Sequence, residues 1–140
     1  MQGKDNGDGF IVLKLDDGED LIKSLKSAVQ KYHITSGFIM MGIGMLRDIE
    51  IGYFAGKKYN LKNLNAPHEL ISLQGSISTK GEVIIHLHCS LANSGHQIVG
   101  GHLNSATVCV LNEILIKRTE NITLGRRLNP DTGLKELHIV

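Results

Sequence analysis

Near the middle of the chain stands the stretch Glu82-Val83-Ile84-Ile85-His86-Leu87-His88-Cys89-Ser90-Leu91, whose residues alternate as those of a β-strand do. Successive side chains of a strand point to opposite faces, so one face of this stretch is entirely apolar and is predicted to face the core. The other face presents His86 and His88. Their Cα atoms lie about 6.5–7 Å apart on a strand, which lets both imidazoles bind one metal ion at about 2.0–2.1 Å.

A third histidine, His102, follows Gly100-Gly101 after a predicted turn. Paired glycines permit close backbone approaches, so we expect a loop that brings His102 back toward His86 and His88. Three histidines with an open position are typical of a catalytic zinc site. The sequence therefore predicts a divalent metal, with zinc as the first candidate, although imidazoles also suit nickel, cobalt, copper or iron. The remaining histidines are interpreted as surface or hydrogen-bonded residues: His33, His68, His96 and His138.

The rest of the chain predicts an α/β fold of the α+β type. Apolar residues recur at helical spacing over residues 19–32, with Asp17 as the expected N-cap. Alternating or β-branched segments predict strands at 10–15, 36–45, 47–54, 68–77, 82–91, 106–117 and 134–140. One early helix and many short-linked strands favour a curled, largely antiparallel sheet in a single domain over residues 10–140. Residues 1–9, rich in Gly, Asp and Asn, are predicted to be a flexible tail.

The bulk composition narrows the class of protein. The 140 residues include 15 Lys and Arg against 14 Asp and Glu, a net charge of +1, which argues against a generic nucleic-acid binder. Cys89 and Cys109 lie in apolar runs and are interpreted as buried thiols. The polar N-terminus predicts no signal segment, and no apolar run reaches the roughly 20 residues that span a bilayer. We expect a soluble, cytoplasmic protein.

A series of short motifs follows the tail in a characteristic order. They are Gly42-Ile43-Gly44, Ile51-Gly52-Tyr53-Phe54, Glu69-Leu70-Ile71-Ser72-Leu73-Gln74-Gly75-Ser76-Ile77, His86-Leu87-His88, Val99-Gly100-Gly101-His102-Leu103 and Arg127-Leu128-Asn129-Pro130-Asp131-Thr132-Gly133-Leu134. Together they resemble the PPC domain (plants and prokaryotes conserved), and the resemblance covers nearly all of the chain after the tail. It implies a curled, largely antiparallel sheet, a homotrimer, and metal binding by His86, His88 and His102. The fold is also similar to that of α-acetolactate decarboxylase, a zinc enzyme with a three-histidine site.

Three functions are compatible with these features. The first is a stand-alone homotrimeric PPC-domain protein that binds a divalent metal through the three histidines, with small-molecule chemistry or sensing there. The alternative is a DNA-binding or transcription-associated interaction module with structural histidines. Plant members of the family reach DNA through AT-hooks, and this chain has no Arg-Gly-Arg-Pro core. The third is an assembly domain without a ligand. Whether the protein is an enzyme stays open.

If the protein is an enzyme, Glu113 is the candidate catalytic residue. It interrupts an apolar run, and burial would raise the pKa of its carboxyl toward that of a general acid or base. It could equally point to solvent or pair with Lys117 or Arg118. Glu69 is a second candidate that we interpret as structural. Arg126 and Arg127 could hold an anionic substrate, but we interpret them as surface charges.

Overall fold

The computed structural model of the protein describes residues 1–140 and contains nine β-strands and one α-helix. The elements are β1 (Gln2–Asp5), β2 (Phe10–Asp16), α1 (Leu21–Lys31), β3 (Ser36–Phe54), β4 (Tyr59–Leu64), β5 (His68–Ser78), β6 (Ile84–Ala92), β7 (Ile98–Arg118), β8 (Leu124–Leu128) and β9 (Lys135–Ile139). Seven strands form one sheet in the order β1-β2-β7-β6-β5-β3-β4, and β8 pairs with β9 in a separate hairpin.

The large sheet curls because its two longest strands pair with each other. β3 pairs with both β5 and β7, and β7 in turn pairs with β6, so these four strands close on themselves. The β3–β7 pairing contains several register shifts, and such bulges bend strands and increase their twist. Every strand pair is antiparallel. The predicted fold class, an α+β domain with a curled antiparallel sheet and one early helix, is confirmed.

The helix packs on the sheet through a short apolar stripe. Leu21, Leu25 and Ala28 are fully buried, as their helical spacing predicts. The N-cap is Asp20, whose carboxylate accepts a hydrogen bond from the backbone N–H of Lys23 at 2.9 Å. Asp17, the expected cap, instead pairs with Arg47 and accepts from a backbone N–H of β7. No helix of the protein is long and apolar enough to cross a membrane.

Several predicted boundaries are wrong. The predicted tail contains β1, which pairs with β2. An edge strand can form from polar residues, because its pairing depends on backbone groups and not on apolar side chains. Segments 36–45 and 47–54 are one continuous strand, β3. β4 and β8 were not expected at all, since their mixed sequences lack a clear alternation. β7 begins at Ile98 rather than at residue 106, so the glycine pair lies in a strand.

The buried residues of β6 confirm the predicted alternation between an apolar core face and a face that presents the histidines. Leu87, Cys89 and Leu91 are buried in a cluster of 23 residues that includes the helix stripe. Both cysteines are free thiols, and Cys109 is only half-buried, contrary to expectation. The apolar face of β6 is therefore anchored in the core, which fixes the direction of its opposite face.

We expect Leu25→Ala to lower the free energy of unfolding by about 2–5 kcal/mol, because it leaves a cavity beneath the helix. The matched control is the exposed neighbour Lys26, whose replacement by alanine should change stability by no more than about 0.5 kcal/mol. Urea unfolding followed by circular dichroism measures both. Equal losses for the two variants would contradict the packing described here.

Candidate metal centre

The three histidines lie on one face of the β6–β7 hairpin. His88 and His102 are direct partners across the two strands, and directly opposed residues of an antiparallel pair project to the same face. His86 precedes His88 by two residues and shares that face. His102 therefore comes from a strand and not, as we expected, from a loop. All three side chains belong to one chain.

The side chains converge closely enough to share an ion. One potential ligand nitrogen from each histidine lies within 4.8 Å of the others, and the Nε2 atoms of His86 and His88 are 3.2 Å apart. Nitrogens at two corners of a tetrahedral zinc site with bonds of about 2.0–2.1 Å are separated by about 3.3 Å. The predicted meeting of His86, His88 and His102 is confirmed, and it fits a three-histidine metal site.

Glycines let the neighbouring backbones approach the site. A Cβ at Gly75 of β5 would lie 2.0 Å from the carbonyl oxygen of His86, and one at Gly100 would lie 2.3 Å from that of Cys89. Real Cβ atoms do not approach this closely, so any side chain at these positions would push β6 away from a neighbour. Gly100, two residues before His102, thus serves strand packing rather than a turn.

The electrostatics of the site favour neutral imidazoles. Burial, followed by the nearby His102, His88 and Arg126, lowers the pKa of His86 from its ordinary 6.5 to about 4. Burial and the neighbouring His88 also lower the pKa of His102. The Nδ1 atom of His102 is buried without a hydrogen-bond partner. A metal requires uncharged imidazoles, so the three-histidine donor set, the lowered pKa values of His86 and His102 and this unsatisfied nitrogen all fit a cation.

A cavity of about 450 Å³ opens beside His86 and His102. The β8–β9 hairpin and the segment before β9 form much of its wall. The lining residues are Tyr59, Ile84, Ile85, His86, His102, Arg126, Leu134, Lys135, Glu136 and Leu137. The ring of Tyr59 lies against that of His102, with 5.0 Å between their centroids. The histidine site therefore adjoins a space of the size that small-molecule sites commonly have.

Arg126 is a site residue that sequence reasoning misplaced. We interpreted it as a surface charge, but it is half-buried and lines the cavity. Its burial lowers the pKa of the guanidinium. Arg127 is exposed as expected. Residues 124–128 form a short strand, and recognising it would have indicated that these adjacent arginines face opposite sides.

The structure does not bring Glu113 to the histidines. Glu113 is exposed and lies on the part of β7 that pairs with β2, opposite Lys14, whereas His102 lies on the part that pairs with β6. The partial burial that motivated its candidacy is absent. Glu69 is also exposed.

The other four histidines lie apart from the cluster. His33 and His96 are exposed. His68 is buried, and its Nδ1 lies 2.8 Å from the carbonyl oxygen of Ala66. His138 contacts Arg127. Their interpretation as surface or hydrogen-bonded residues is confirmed.

The fold and site define a class of protein, namely a curled antiparallel sheet with three histidines gathered on one central hairpin. The family model of the Plants and Prokaryotes Conserved (PCC) domain, also abbreviated PPC, matches residues 2–120, and the chain belongs to this family. The match includes β1, which lies in the segment predicted to be a tail, and it ends before the β8–β9 hairpin.

Solved structures agree with this assignment. A plant- and prokaryote-conserved protein of Pyrococcus horikoshii is 32% identical, with a TM-score of 0.82 and coverage of 91% of this chain and 90% of that one. A metal-containing protein of Archaeoglobus fulgidus is 31% identical, with a TM-score of 0.83 and 91% coverage of both chains. A protein of Bacteroides thetaiotaomicron, named as a candidate DNA-binding protein, is 26% identical, with a TM-score of 0.90 and coverage of 98% and 96%.

A curated relative is much longer than this chain. The bifunctional protein GlmU of a Synechococcus strain is 28% identical over 128 residues, which are 91% of this chain. The chain spans only 20% of the length of that relative.

The lowered pKa of His86 predicts a pH-dependent stability in metal-free protein. The unfolded chain binds a proton at His86 near pH 6.5 and the folded chain only near pH 4, so stability should fall as the pH drops through this interval. Urea midpoints in a chelator at about pH 7 and about pH 5 measure the loss. His86→Gln should reduce the difference between the two urea midpoints. An unchanged difference in this variant would refute the conclusion that protonation of His86 causes the loss of stability.

Proposed function

We propose that this protein binds a divalent metal, zinc, through His86, His88 and His102, and uses the adjoining cavity for a small molecule. The observation that carries the proposal is the convergence of one nitrogen from each ring within 4.8 Å. The metal-containing relative from Archaeoglobus fulgidus supports it. The chemistry of the donors supports it too, since three imidazoles with an open position are typical of catalytic zinc.

The chain's own residues perform separate tasks in this site. The lowered pKa values of His86 and His102 favour the uncharged imidazoles that bind an ion, and the ring of Tyr59 covers one side of His102. The cavity wall supplies apolar contacts and the charge of Arg126 to an occupant. When bound, zinc supplies Lewis acidity and lowers the pKa of coordinated water toward about 7. The site thus supports either metal-dependent chemistry on a small molecule or recognition of one.

Metal content tests the proposal directly. Protein purified without added chelator should contain about one ion per chain, and replacing His86, His88 and His102 together by alanine should abolish it. Elemental analysis by mass spectrometry gives both the amount and the identity. The matched control is His96→Asn, because His96 is exposed and has a φ of 62° that asparagine tolerates. Wild-type protein that retains no metal after incubation with zinc would refute the proposal.

We further propose that the protein is a homotrimer. β3 exposes four large apolar side chains within a short segment: Phe38, Met40, Met41 and Ile43. Such a concentration on a central strand is typical of an interaction surface. A second copy of the chain is the partner that the family resemblance favours.

Light scattering after size-exclusion chromatography should give the mass of three chains. Changing Met40 and Met41 together to lysine should reduce it to that of one chain, since charges there would be buried without partners. Ile122→Lys, in the exposed loop after β7, should leave the mass unchanged. Wild-type protein with the mass of a single chain would contradict the trimer.

A DNA-associated role is the second candidate. The structural relative from Bacteroides thetaiotaomicron is named as a candidate DNA-binding protein. The net charge of +1 opposes direct binding, because affinity for DNA depends on neutralising phosphates. Fluorescence anisotropy with duplex DNA at low salt decides the question, and salt-sensitive binding that survives loss of the three histidines would favour this role.

A further inference from the structure

The guanidinium of Arg126 is anchored beside the histidine site. Its Nη2 donates to the hydroxyl oxygen of Ser76 at 2.6 Å and its Nε to that of Ser78 at 3.3 Å. Ser76 is the direct cross-strand partner of His86. The hydroxyl of Ser76 therefore holds Arg126 beside the strand position of His86. Both Arg126 and His86 line the cavity.

Arg126 has no carboxylate partner in the structure. Its third hydrogen bond runs from Nη1 to the carbonyl oxygen of Lys135 at 3.4 Å, and no salt bridge includes it. A guanidinium has five N–H donors, so one N–H on each terminal nitrogen remains free. With a free N–H on each terminal nitrogen, this half-buried cation can donate hydrogen bonds to a carboxylate.

The other charged residues of the cavity are already engaged. Lys135 pairs with Glu82 at 2.8 Å, and Glu136 accepts a hydrogen bond from the side chain of Asn129 at 2.7 Å. The rest of the wall is largely apolar and includes Ile84, Ile85, Leu134 and Leu137. The partner of Glu136 is a neutral amide, which does not neutralise a carboxylate. Arg126 is the one cationic side chain of the cavity without a carboxylate partner, so an occupant with a negative charge would bind there and place a short hydrocarbon part on the apolar surface.

We propose that the cavity binds a small organic carboxylate, with its carboxylate on Arg126 and its apolar part against Leu134 and Leu137, next to His86 and His102. This inference rests on the proposed function, since the ligand lies against the metal-loaded histidines. A phosphate is less well matched, because Arg126 is the only cationic side chain of the cavity without a carboxylate partner. The β8–β9 hairpin, which supplies Arg126, then determines which ligands enter.

Calorimetric titration of zinc-loaded protein tests the proposal with 2-hydroxybutyrate, its uncharged amide and inorganic phosphate. We expect saturable binding of 2-hydroxybutyrate and binding of the amide that is weaker by about tenfold or more, because hydrogen bonds between charged groups are the strong ones. Phosphate should bind more weakly than 2-hydroxybutyrate. A tighter interaction with phosphate, or equal affinities for the acid and the amide, would overturn the proposal without any variant.

Two neighbouring arginines provide a matched pair of variants. Arg126→Gln should weaken the binding of 2-hydroxybutyrate by about tenfold or more and retain the metal content of the wild type. Arg127→Gln, on the exposed side of β8, should change neither the affinity nor the metal content. Arg126→Lys keeps the charge and should recover part of the affinity. If Arg126→Gln keeps its metal and binds 2-hydroxybutyrate as the wild type does, Arg126 is not the anion site and the metal proposal still stands.

Loss of metal from the wild type itself is a different result. It refutes the proposed function, and titration of that metal-free protein then shows whether Arg126 alone distinguishes 2-hydroxybutyrate from its amide. Absence of that distinction overturns the present inference as well.

Discussion

The pairing of His88 with His102 across β6 and β7 is the constraint on which the site depends. Because the side chains of a strand alternate, a shift of this register by one residue would turn His102 to the face opposite His88. The buried side chains of Leu87 and Leu91 hold β6 in its orientation from the core side. The site is therefore maintained by the same packing that stabilises the domain.

The curl of the sheet gives this hairpin a wall on either side. β5 pairs with β6 and places Ser76 opposite His86, while β3 pairs with β7 and places Gly52 opposite His102. A Cβ at Gly52 would lie 2.8 Å from the ring of Tyr59, so the missing side chain leaves room for that ring beside His102. An open, flat sheet carrying the same histidines would leave them on a bare surface.

The C-terminal hairpin converts the histidine face into the side of a cavity. Its strand β8 contacts β5, and Arg126 reaches the serines of that strand. The match to the family model ends at residue 120, whereas half of the cavity-lining residues lie beyond it. The three histidines and half of the cavity wall therefore lie in different parts of the chain, one inside the family match and one beyond it.

The sequence alone determined the elements whose side chains follow a strong period. These were α1, with its apolar stripe, and β6, with its apolar and histidine faces, and they led to the fold class and to the convergence of the three histidines. The sequence did not determine β1, β4 or β8. The side chains of these strands show little periodic pattern, so only their backbone pairing defines them. Only the tertiary structure decided that His102 lies on a strand, that Glu113 points away from the site, and that Arg126 enters it. Each of these depends on which residues of distant strands stand opposite each other, and spacing along one strand carries no information about that register.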